Sequence, residues 1–129
     1  MTVNESIAFA ETLLPGQAAL EGESDPRWQA IIAIGDFIET DPEAVWTFIT
    51  RWGASDDEDL RTAIATCLLE HLLEHHFDRF IDRVERTSAA RPSFGQTVMS
   101  CWKFGQSDET ERSARLDRLR ASIRNSSEG

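Results

Sequence analysis

Between Asp56 and His76, apolar residues fall at Leu60, Ile64, Cys67, Leu68 and Leu72, with Leu73 or Phe77 next. This is the three-and-four spacing of a helix with one buried stripe. No glycine or proline interrupts the chain between Asp56 and Arg91. The acids Asp56 to Asp59 precede the stripe, where they favour the positive end of a helix dipole and can cap free amides. The pattern predicts a central helix from Asp56 to about Glu74 and a break at His75–His76. A further helix should follow through Phe77, Phe80, Ile81 and Val84.

The same reading extends along the chain. Asn4 to Leu14 is predicted as a helix capped by Asn4 or Ser6 and stopped by Pro15-Gly16, with a loop over Gln17 to Ser24. Asp25-Pro26 and Asp41-Pro42 each place an N-cap acid before a proline in the first helical position. The helix opened at Asp25 buries Trp28, Ile31, Ile32 and Ile34. The one opened at Asp41 carries Val45, Trp46, Phe48, Ile49 and Trp52 and ends at Gly53. A short connection makes these two an antiparallel hairpin. Ser88 to Pro92 reads as a linker and Ser93 to Phe104 as a helix closed by Gly105. From Asp108 an Arg-rich amphipathic segment presents Leu116, Leu119 and Ile123, and the final N-S-S-E-G is expected to be disordered. The expected fold is all-α, with about six or seven helices.

An internal repeat adds to this picture. A shift of thirty-four residues aligns Asp25, Asp59 and Ser93 at helix starts, Ala30 with Ile64 and Val98, and Ala33 with Cys67 and Cys101. Arg27 falls on Arg61. A shift of thirty-two places Val45, Phe48, Ile49 and Trp52 on Phe77, Phe80, Ile81 and Val84. The string Asp59-Leu60-Arg61-Thr62-Ala63-Ile64-Ala65, followed by Leu68, resembles the first helix of a HEAT-like (armadillo-type) repeat. Asp25-Pro26-Arg27, followed by Ala30 and Ala33, is similar to it, whereas Gly95 stands at the arginine place of a third unit. The resemblance spans roughly residues 25–104. It implies a short α-solenoid of helical hairpins, a fold used mostly for protein binding. It also implies that Asp25, Arg27, Asp59 and Arg61 are structural residues tying adjacent repeats. The expected organisation is an N-terminal helix and loop over 1–24, repeats over 25–105, and a polar C-terminal helix and tail over 106–129.

Composition narrows the function. The chain of 129 residues has a net charge of −10, and it is unevenly spread. Residues 1–60 hold thirteen acids against two arginines, and residues 61–129 hold ten acids against eleven basic side chains. An acidic first half argues against nucleic acid, whose binders cluster lysine and arginine. No run approaches the ~20 apolar residues of a membrane span. Without a basic, apolar leader the expected compartment is the cytoplasm. Two cysteines make no disulfide framework; Cys67 and Cys101 read as small core residues.

The candidate chemistry is sparse. His71-Leu72-Leu73-Glu74-His75 places two histidines four apart on a helix, where they could share a zinc ion while Glu74 activates water. It resembles the inverted zinc-protease motif, but no third ligand is fixed by spacing, and histidines at a helix end also suit its dipole. No metal or other cofactor is expected, and His71 and His75 are the weak candidates if one binds. The reading carried forward is a non-catalytic protein-interaction module whose binding surface comprises Asp56, Asp57, Glu58 and an exposed Trp52. Its expected partner is a protein, possibly basic. The alternatives are a small acidic inhibitor or immunity-type protein and a zinc-dependent hydrolase.

Overall fold

The structure, a computed structural model, describes residues 1–14 and 24–128, with side chains through residue 126. Among the described residues it is all-helical, with no strand. The helices are α1 Val3–Leu13, α2 Pro26–Ile34, α3 Pro42–Trp52, α4 Glu58–Ile64, α5 Glu70–Ala90, α6 Pro92–Met99 and α7 Thr110–Glu128. A π turn over Ala65–Leu69 joins α4 to α5 without a loop, and 3-10 turns occupy Gly35–Phe37 and Gly105–Asp108. The predicted stop at Pro15-Gly16 and the Gln17–Ser24 loop lie almost wholly outside the described residues.

Local signals account for most helix starts. The Asp25 side chain accepts from the Arg27 amide, with Pro26 next, and Asp57 accepts from the Leu60 amide. Asp41 precedes Pro42 as expected but makes no side-chain cap; its carboxylate accepts instead from the Thr40 hydroxyl at 2.9 Å. The first helix begins earlier than expected. Thr2, rather than Asn4 or Ser6, is its N-cap, in a reciprocal capping box with Glu5. The expected Ser88–Pro92 linker is shorter, since α5 runs to Ala90 and only Arg91 breaks the helix. The expected Ser93–Phe104 helix is shorter too, ending at Met99. The expected disordered tail is instead helical through Glu128.

One apolar core runs from Ala10 in α1 to Ile123 in α7. Ile31, Ile34, Ile64, Leu68 and Val98 are fully buried within it, and Cys101 is nearly so, while Cys67 is only half-buried. Helix α6 folds back beside α4 and α5, bringing Phe94 edge-on to Trp46 with ring centroids 6.0 Å apart. Gly53 makes this approach feasible: a Cβ there would lie 2.5 Å from the Ile49 carbonyl and 3.3 Å from Phe94. The Thr97 hydroxyl donates to the Gly53 carbonyl across the same contact.

The starts of α2 and α4 are joined by charge. The Arg27 guanidinium is 3% exposed as a residue and pairs with Asp59 at 2.8 Å, Asp25 at 3.2 Å and Asp57 at 3.4 Å. Trp28 Nε1 also donates to Asp59, at 3.1 Å. Burial pulls the Arg27 pKa down, but Asp25 and Asp57 more than offset it, so it lies above the ordinary value. Arg61 makes no such link and donates to the Ser55 carbonyl at 2.8 Å. Replacing Arg27 with Met should cost about 1–3 kcal/mol in chemical denaturation. The loss is held to that range because Asp57 and Asp59 are half-exposed and can be rehydrated.

Candidate functional site

Two irregularities bracket the segment Glu70–His75. The first is the π turn, in which the Glu70 amide reaches back five residues to the Ala65 carbonyl. Such turns inside α-helices recur at functional sites. The Cys101 thiol lies 3.7 Å from the same carbonyl, so α6 and its extension contact the widened turn. The second is a kink at His76, whose φ of −138° and ψ of 42° are not helical. The Gln106 side chain plugs it: its Nε2 donates to the His75 carbonyl at 3.0 Å and its Oε1 accepts from the Phe77 amide at 2.9 Å. Both backbone groups freed by the kink are thereby paired. Gly105 allows this seat, because its φ of +50° suits glycine and a Cβ would lie 2.8 Å from Glu74 Cγ. His76 Nε2 donates to the Ile38 carbonyl at 3.0 Å, so the expected break at His75–His76 is present as a buttressed kink.

The side chains between these points form a continuous polar and aromatic surface. His71 Nδ1 lies 2.8 Å from Glu74 Oε1, and His71 Nε2 lies 3.6 Å from Glu70. His75 lies 3.7 Å from Glu74 and 3.6 Å from Glu39. Phe104 stacks on the His71 ring at 5.6 Å between centroids, and the Trp102 amide donates to Glu70 at 3.1 Å. A groove of about 400 Å³ opens beside these groups, lined in part by Ile32, Asp36, Glu39, Cys67, His71 and His75.

Glu70 is a buried acid with an acidic neighbour in Glu74. It is 5% exposed, and burial raises its pKa; the Trp102 amide and His71 oppose that rise and Glu74 adds to it. The thiols are not activated. Burial raises the Cys67 pKa, against the Thr66 hydroxyl and with help from Glu70. Burial likewise pushes the Cys101 thiol far up, with Glu70 adding and Arg120 opposing. Neither is the thiolate that nucleophilic chemistry needs.

The other sites expected from sequence fall elsewhere. Trp52 is half-buried, not exposed, because its Nε1 donates to Glu11 at 3.0 Å under α1. The exposed tryptophan is Trp102, at 70%; it escapes the core because α6 stops three residues before it. Asp56, Asp57 and Glu58 are exposed at the start of α4, but Asp57 is both the cap and an Arg27 partner. His71 and His75 do share a face, with Glu74 bonded to His71. Among the described residues no group of three or more histidines, cysteines or acids is arranged to hold a metal ion. Sequence reasoning overlooked Glu70, Trp102, Phe104 and Gln106. Only Gly105 before Gln106 hinted at them.

The chain belongs to the family described as a family of unknown function (DUF6869), which matches over residues 17–123. No curated protein and no solved structure matches it.

The strain on Glu70 has a testable sign. Its folded-state pKa is above the unfolded one, so the ionised carboxylate weakens the fold above that pKa. The penalty disappears as the pH falls below the ordinary glutamate range. Glu70→Gln keeps an acceptor for the Trp102 amide and removes the charge. Its melting temperature should exceed that of the unmodified protein at about pH 7, and the two should converge near about pH 4.

Proposed function

We propose that this DUF6869 chain is a non-catalytic protein-interaction module, a short solenoid of HEAT-like hairpins that offers an acidic, partly aromatic surface to another protein. The repeat reading is supported by the Arg27–Asp59 contact between the starts of α2 and α4. It is supported also by the burial of Ala30, Ile64 and Val98 at aligned positions. The two free cysteines fit a reducing compartment such as the cytoplasm. No helix among the described residues is long and apolar enough to cross a membrane.

One observation carries the functional reading: exposed apolar side chains and unneutralised acids occur together around the groove. Ile32, 47% exposed, lines the groove, and Phe104, 41% exposed, stacks on the lining His71; Trp102, two residues before Phe104, is 70% exposed. A hydrolase reading finds less support. Glu74, the group that would activate water, is bonded to His71, and the thiols are held protonated by burial. The inhibitor or immunity-type reading differs only in the identity of the protein bound.

Photocrosslinking in cells tests the module. With p-benzoylphenylalanine at position 102, at position 56 or at position 124 on the exposed side of α7, the expected result is a discrete protein adduct from position 102. When the irradiation is repeated in lysate, the yield of that adduct should fall at high salt, and position 124 should yield none. Adducts from position 56 in place of 102 would return the interface to the start of α4. None from either would remove the interaction reading.

A further inference from the structure

Ten of the twenty acids whose side chains are described have an arginine or lysine beside them. Glu43 holds Arg79 and Arg83, Glu11 holds Arg51, and Asp117 holds Lys103. Arg112 pairs with Asp78, and Arg115 pairs with Asp82 and Glu85. The groove beside the π turn is one place without such partners: its lining acids Asp36 and Glu39, and Glu70 and Glu74 next to the lining histidines, have no arginine or lysine partner among the described residues, and no arginine or lysine lines the groove. Their nearest positive candidates are His71 and His75, which carry charge only when protonated.

The same walls are apolar where they are not acidic. Ile32 and Cys67 line the groove, and Phe104 stacks on the lining His71. A volume of about 400 Å³ admits one or two side chains. A linear segment bearing one apolar side chain fits that space.

We propose that the groove docks a basic linear segment of a partner protein. One apolar side chain would enter over Cys67 and Ile32, and flanking arginines or lysines would meet the carboxylates of Asp36, Glu39 and Glu74. A cation placed beside carboxylates whose only partners of opposite charge are histidines supplies counter-charge that no arginine or lysine provides there. The partly exposed Phe104 beside His71 also suits a guanidinium. This inference rests on the interaction-module reading and adds the chemistry of the partner.

The test is an amide chemical-shift titration of the full chain with an acetylated heptapeptide in which arginines flank a central leucine. Its glutamate counterpart serves as the control. The expected result is saturable shifts at Gly35, Thr66, Cys67 and His71 with the arginine peptide alone. Asp36→Asn combined with Glu39→Gln, both exposed and thus compatible with folding, should weaken that binding about fivefold or more. Equal shifts with the glutamate peptide, undiminished binding by the double variant, or no saturable shift at all would overturn the proposal. If the peptide fails while the crosslink from position 102 persists, the basic segment is excluded and the module stands. If the crosslink is absent, the module reading itself fails.

Discussion

A buried guanidinium must find anions, and Arg27 finds three. Two of them lie on the far side of a helix boundary, at the start of α4, so α2 cannot settle in the core until α4 has begun in the right place. That constraint sets the direction of the long α4–π–α5 rod, and every later element packs along the rod. Helix α6 lies back over its first half, the 3-10 turn at Gly105–Asp108 seats on its kink, and α7 closes against its second half. Asp57 serves in two roles at that point, capping α4 and holding Arg27. Part of the acidic cluster at the helix start is therefore structural.

What the chain revealed in advance was local. Asp25-Pro26 and Asp57 act on the amides next to them, and the two histidines at positions 75 and 76 mark a break that does occur. The apolar spacing likewise located the core: Ile31, Ile34, Ile64, Leu68 and Val98 are all buried. What stayed hidden depends on partners distant in sequence. The π turn coincides with a thiol from Cys101, and the kink with an amide from Gln106, thirty-one residues beyond the carbonyl it pairs. Trp52, expected to be exposed, is half-buried for the same reason, while Trp102 is exposed. Whether a tryptophan is covered is decided by where α1 and α6 end, and periodicity within its own segment does not report that.

The uneven charge of the sequence takes on a different meaning once folded. Part of the basic second half folds onto acids of both halves: Arg79 and Arg83 pair with Glu43, and Arg115 pairs with Asp82 and Glu85. Negative charge then persists where arginine does not reach, around Asp36, Glu39, Glu70 and Glu74. Net charge pointed to the helix start at Asp56 to Glu58; the groove at the other end of α2 is a second acidic place that, like Asp56 and Glu58, has no arginine or lysine partner among the described residues.

The π turn also changes how the helix should be counted. An α-helix advances about 100° per residue, and a π turn holds roughly one residue more than the turn it replaces. Everything after Leu69 is thus rotated by about one residue's angle relative to an unbroken helix. Glu70, His71, Glu74 and His75 owe their heading to that single surplus position. Related chains that differ by one residue between Ala65 and Leu69 would keep the same side chains in the same order and aim them in another direction. For this helix, length upstream is as much a determinant of the surface as residue identity, and an alignment that tolerates a one-residue gap there would compare faces that do not correspond.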